Sequence, residues 1–171
     1  MSKINTAGVL VSLFDAELHY TSTSPDAAVV PSDDRDGVYL GSGIGTVRGE
    51  SLEGQIRWSF FAADCTYLLV LEGREVPPGR HLCRANPGGF IETDDGATIG
   101  FDARGYGLRG FDPDRPHLWR LTMALQFKTD DERYAWLDGR LGVWEGEFNE
   151  TSRTSVYRAF LQAIGEEGGA A

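Results

Sequence analysis

Residues 117–129, HLWRLTMALQFKT, alternate without a break. His117, Trp119, Leu121, Met123, Leu125 and Phe127 fall on one side; Leu118, Arg120, Thr122, Ala124, Gln126 and Lys128 fall on the other. Successive side chains of an extended chain point to opposite faces, so this run predicts a half-buried antiparallel strand and not a helix. Such a strand needs neighbours to pair with and a layer to cover its apolar face. The neighbours are legible. Gln55, Arg57 and Ser59 alternate with Ile56, Trp58 and Phe60, and Val9, Val11 and Leu13 with Leu10, Ser12 and Phe14. Residues 89–106 read as a hairpin around Asp94-Asp95-Gly96, where Asp-Gly suits positive φ. Further turn signals fall at 24–26, 31–37, 77–79, 86–89 and 112–114. Short strands with frequent turns predict an all-β barrel or sandwich.

Two segments depart from this pattern. Residues 130–137, DDERYAWL, predict a short helical turn with carboxylates at its start. Val156, Phe160 and Ile164, with Tyr157 and Leu161, fit helical spacing. The tail GEEGGAA is expected to fray.

Glycine accounts for 22 of 171 residues, and its densest stretch is GSGIGTVRGESLEG, 41–54. A phosphate-binding P-loop ends in Gly-Lys-Ser/Thr, but here Thr46-Val47-Arg48 follows Gly45. The dinucleotide pattern fails too, because position 46 is threonine and Gly49 and Gly54 spoil the helix that should follow. On a strand, Gly41, Gly43 and Gly45 instead bare one face. A bare face accommodates a bend, a large neighbour such as Trp58, or a ligand lying against the backbone.

The formal net charge is −10, with two lysines in the chain and scattered arginines, so neither nucleic acid nor an anionic membrane is an expected partner. No apolar run approaches the ~20 residues of a membrane helix. The N-terminal run is followed at once by Asp15 and Glu17 and lacks a convincing cleavage site. Cys65 and Cys83 make no disulfide framework, and a cytoplasmic protein with free thiols is expected. His19, His81 and His117 lie far apart, so no metal site is expected, and no motif calls for a cofactor.

Three stretches together resemble the DUF3237 or UPF0311 family of bacterial proteins: GSGIGTVRGESLEGQIRW, IETDDGATIGFDARGY and LQFKTDDERYAWLDGRLGV. In the last, Asp138 stands where the family usually has Asn. The resemblance spans residues 8–161, with a divergent middle at 61–88. It implies a single closed antiparallel β-barrel of about eight strands, similar to allene oxide cyclase and dirigent barrels, with at most one short helix and a flexible tail over 162–171. It therefore implies a strand over 154–162, against the local helical spacing. Barrels of this kind enclose one small ligand, relatives include cyclases and isomerases, and assembly as a dimer or trimer is implied.

On this reading, chemistry falls to acid–base groups at the barrel interior. His117 ends the apolar stripe at a barrel mouth and suits a general base or acid; a solvated or capping histidine is the alternative. Asp15 and Glu17, with His19, continue the parity of Val9, Val11 and Leu13, and a buried carboxyl there would have a raised pKa. The alternative is a strand leaving the core. Glu92, Asp102, Arg104 and Tyr106 share strand parity and could polarise a carbonyl, unless Ile91, Ile99 and Phe101 take the inward face and leave them outside. Trp58, Trp119, Tyr134 and Trp136, with Gly41, Gly43 and Gly45, are candidate walls for a small hydrophobic, polyketide-like ligand. Three functions are compatible with these features. They are cofactor-independent isomerisation, cyclisation or dehydration; binding or carriage of such a molecule; and a solidly packed assembly protein.

Overall fold

The burial of β6 (Leu118–Lys128) follows the strand period: from Trp119 to Phe127 every odd residue is buried and every even one exposed. The computed structural model describes residues 10–23, 38–63, 80–110, 112 and 114–163. The turn signals at 24–26, 31–37 and 77–79, Cys65 and the tail from 164 lie outside the described residues. The other strands are β1 (Leu10–Thr23), β2 (Val38–Arg48), β3 (Glu53–Ala63), β4 (His81–Thr93), β5 (Thr98–Arg109), β7 (Gly142–Asn149) and β8 (Thr154–Gln162). Each pairs antiparallel with the next, and β8 returns to pair with β1, so the sheet is a closed eight-stranded barrel. Closure leaves no unpaired strand edge among the described strands. Residues 154–162 are strand: tertiary pairing with β1 and β7 overrides the local helical spacing.

The core is the barrel interior. Leu18, Ile56, Trp58, Ile91, Ile99, Trp119, Met123, Trp144, Tyr157 and Ala159 point inward and are almost wholly buried. The glycine stretch joins this interior as a packing device. Gly43 pairs with Trp58 across β2 and β3, and a Cβ on Gly43 would lie 2.6 Å from the Trp58 ring. Gly45 is equally closed, against the Glu17 backbone and Leu18. At Gly43 the large-neighbour reading is the one the structure bears out, because the Trp58 indole occupies the space beside it.

We call the end at which β1 finishes and β2 begins the upper end. The lower end is closed by a 3-10 turn, Glu132–Leu137, whose Leu137 and Tyr134 are buried. Asp131 caps it by accepting from the Arg133 backbone N–H. Asp95, in the turn before β5, gathers this region: its carboxylate accepts from Thr93 Oγ1 at 2.5 Å, Arg133 Nη1 at 2.8 Å and Tyr134 OH at 3.0 Å. The hydrogen bond from Thr93, with those from Tyr134 and the Arg133 charge, holds the Asp95 carboxyl below its usual value of 3.8. A depressed folded pKa adds stability above pH 3.8 that is lost as pH falls through the folded value. Asp95→Asn is therefore expected to lower Tm at pH 7 and to lower it less near pH 2. Thermal unfolding followed by circular dichroism at the two pH values checks this.

Candidate functional site

At the upper end the inward faces of β5, β6 and β7 finish in polar groups. Arg109 ends β5 on the same parity as Phe101, Ala103, Gly105 and Gly107. Trp119 opens the inward face of β6, and Glu150 follows Trp144, Gly146 and Phe148 at the end of β7. Arg109 and Glu150 are both almost wholly buried. Arg109 Nη1 donates to Glu150 Oε1 at 2.6 Å, and Trp119 Nε1 donates to the same oxygen. The guanidinium also lies 4.8 Å from the Trp119 ring centroid.

Glu150 Oε2 is buried and has no hydrogen-bond partner among the described residues. Burial pushes the Glu150 carboxyl from 4.5 up to about 7, opposed by the Arg109 charge and by hydrogen bonds from Trp119 and Arg109. A carboxyl near 7 exchanges a proton at neutral pH, which is what a general acid or base must do. His117 belongs to the same corner: it is half-buried, and its carbonyl accepts from the Glu150 backbone N–H at 3.1 Å. His81 opens β4 opposite Arg109.

Aromatic side chains fill the neighbouring lumen. Tyr20 stacks edge-on against Trp58 at 4.5 Å and lies 4.6 Å from Phe148. Trp144 lies 4.7 Å from Tyr157. Between them a cavity of about 10 Å³ remains. Of the alternatives for the glycine strand, a ligand lying in the lumen finds no ligand-sized space beside Gly43 among the described residues, because Trp58 packs there.

The structure brings only part of the sequence-predicted set to this end. Trp58, Trp119 and His117 are there. Asp15, Glu17, Glu92, Arg104 and Tyr106 are exposed on the outer face, so of the two positions open to them the lumenal one is corrected to the outer one. For Asp15 and Glu17 the cause is a β-bulge between Ser12 and Phe14, which reverses the parity of β1. Beyond it Phe14, Ala16 and Leu18 face inward, and Asp15 faces Arg158 outside at 3.6 Å. Arg104 pairs with Asp102 at 3.0 Å, and Glu92 lies 3.8 Å from Arg57, both in solvent. Tyr134 and Trp136 belong to the lower closure, with Tyr134 bound to Asp95 and Trp136 exposed.

The outer face has its own relief. A groove of about 900 Å³ crosses β2 to β6, with the exposed Ile44 and Phe90 on it and Gly88 and Gly100 among its lining residues. No group of His, Cys, Asp and Glu among the described residues is arranged to hold a metal ion. No helix among them is long and apolar enough to cross a membrane.

Solved structures share the fold. A β-barrel-like protein from Acinetobacter baumannii AYE superposes with a TM-score of 0.71 at 19% identity, covering 94% of this chain and 100% of its own. A conserved protein of unknown function from Rhodopseudomonas palustris does so with a TM-score of 0.68 at 16% identity, covering 93% of this chain and 100% of its own. A protein described as an enzyme, from Penicillium herquei, gives 0.57 at 18% identity, covering 94% of this chain and 99% of its own. No curated protein matches the chain at a significant level. The family model described as a protein of unknown function, DUF3237, matches residues 13–161, and the chain therefore belongs to the DUF3237 family.

Proposed function

We propose that the upper end of the barrel is an acid–base site acting on a small hydrophobic molecule, in a cofactor-independent isomerisation, cyclisation or dehydration. The observation that carries this reading is Glu150: a buried carboxyl with one oxygen unpartnered among the described residues, poised near neutrality beside Arg109 and Trp119. In this role Glu150 moves a proton through Oε2, while Arg109 and Trp119 hold Oε1 and fix the carboxyl plane. The aromatic side chains packed in the lumen keep water from the carboxyl, so proton transfer by a positioned group supplies the rate. The Penicillium herquei neighbour, described as an enzyme, agrees with a catalytic barrel. The reading is tested with a panel of small aromatic and alicyclic ketones in deuterated buffer. Binding followed by deuterium uptake at the carbon next to the carbonyl is expected, with uptake reduced at least ~100-fold in Glu150→Gln. Binding without exchange would replace this reading by that of a carrier, and absence of binding across the panel would overturn both.

A second reading, assembly through the outer face, is favoured by the groove that carries Ile44 and Phe90, 50% and 58% exposed. If copies of the chain pack there as a dimer or trimer, Phe90→Asp is expected to shift sedimentation to the monomer. An unchanged sedimentation coefficient would remove this reading.

A further inference from the structure

Strand register sets two neighbouring rows of side chains across the outer face of β2 to β6. One row runs Ile44, Arg57, Phe90, Gly100 and Lys128. The other, two residues away on each strand, runs Ser42, Ser59, Gly88, Asp102 and Gln126. Both rows line the groove of about 900 Å³. On β2, β3 and β4 a large side chain in the first row stands beside a small one in the second. On β5 the order reverses, with Gly100 beside Asp102. Phe90, 58% exposed, is the ridge of this relief, and Gly88 is its notch. The barrel does not need glycine at 88. Its φ is not positive, and a Cβ there would come no closer than 3.4 Å to the Phe101 carbonyl. The notch is therefore surface relief and not interior packing.

We propose that two copies of the chain form a two-fold dimer through this face, with Phe90 of each copy seated against the partner's Gly88. This rests on the reading of the outer face as an assembly surface and gives that reading its geometry. A two-fold interface presents one patch to itself, so the patch must be self-complementary. An axis laid across the strands, between the two rows, sets each residue of one row on its neighbour two residues away in the second copy. Phe90 then fills the notch at the partner's Gly88, Ile44 meets the partner's Ser42, and Arg57 meets the partner's Ser59. An exposed aromatic ring entering a notch at the centre of a polar-rimmed patch is the usual anchor of such an interface. The charges agree with the shape. Lys128 comes down on the partner's Gln126, whose register neighbour is Asp102. In the next rows out, Arg104 comes down on the partner's Thr98, whose register neighbour is Glu92. Neighbouring strands lie ~4.8 Å apart, within reach of both long side chains. Each cation thus approaches an anion, twice by symmetry, and no pair in these four rows sets like charge against like.

The test exchanges ridge and notch in the full-length protein and reads the dimer constant by sedimentation equilibrium. Gly88→Phe alone sets ring against ring, and Phe90→Ala alone removes the anchor. Each is expected to weaken the dimer at least ~30-fold. The double variant carries the ring at 88 and the small residue at 90, which the same axis pairs again. Its dimer is expected to return to within ~10-fold of the wild type. Circular dichroism checks that each variant is folded. If the ring variants fail to fold, the exposed pair Glu92→Arg and Arg104→Glu repeats the design with charge: each single change weakens the dimer and the combination restores it. A folded double variant that stays monomeric, or a dimer indifferent to Gly88→Phe, would overturn the two-fold packing. Loss of assembly in Phe90→Asp would then keep the outer face as the assembly surface in another geometry. A wild-type trimer would overturn the two-fold alone, and a wild-type monomer would overturn both.

Discussion

Replacing Arg109 by alanine is expected to lower Tm by about 10 °C at pH 8 and by clearly less at pH 5. Removing one partner of a buried ion pair costs about 3–5 kcal/mol, because the survivor is left as an uncompensated charge. For a chain of this size each kcal/mol moves Tm by about 2–4 °C. The pH dependence follows from Glu150, whose carboxyl sits near 7. At pH 8 the native carboxyl is ionised and paired, and the variant must bury it alone. At pH 5 it is already protonated, and less is lost. The same raised value gives the native protein a slope of its own. The folded state binds a proton more tightly than the unfolded chain, so stability is fullest below 4.5 and falls, by about 3 kcal/mol at most, as pH rises through 7. Glu150→Gln should remove that slope. Arg109→Met combined with Glu150→Leu should recover most of the stability lost in Arg109→Ala, since an apolar pair of similar size often replaces a buried ion pair without loss. Denaturant titrations at pH 5 and pH 8 measure all four proteins.

The second large effect is expected at the glycine strand. Gly43→Ala should destabilise the barrel by about 1–3 kcal/mol or more, because a methyl group there meets both the Trp58 ring and the His19 carbonyl. Trp58→Ala should cost about 3–5 kcal/mol by emptying the space that the indole fills. Gly43→Ala together with Trp58→Phe should be less unstable than the sum of the two single changes. Recovery will be partial, since the smaller ring relieves the side-chain clash and the backbone carbonyl of β1 cannot retreat as a side chain does. Strict additivity in urea unfolding would show that Gly43 and Trp58 do not share one space.

Most of the barrel was legible because the strand period is short and survives locally. Alternation over 117–129 located β6, and that over 55–60 located the middle of β3, and in each the apolar side is the one the structure buries. The turn at Asp94-Asp95-Gly96 was legible because Gly96 takes a positive φ of 88°. Strand β8 was not legible from its residues, whose spacing fits both periods; the family resemblance decided it. The buried pair Arg109 and Glu150 was not picked out, for two physical reasons. A bulge adds one residue to β1 and reverses the parity that placed Asp15 and Glu17 inside. Attention to the charged residues of β5 also favoured the outer face, where Asp102 and Arg104 lie. Yet a signal was present. Counting by twos from Phe101 through Gly105 and Gly107 reaches Arg109, and counting by twos from Trp144 through Phe148 reaches Glu150. Two inward faces that finish in opposite charges predict a buried pair.

Glu150, buried at the upper end of the lumen, is proposed to exchange its proton near neutral pH. Its most direct test is the ¹³Cδ chemical shift of Glu150 followed from pH 4 to pH 9, with Glu150→Gln used for assignment. A titration midpoint near 7 is expected, with the Trp119 indole N–H moving along the same curve. A midpoint between 4 and 5, with the Trp119 signal unmoved, would contradict it.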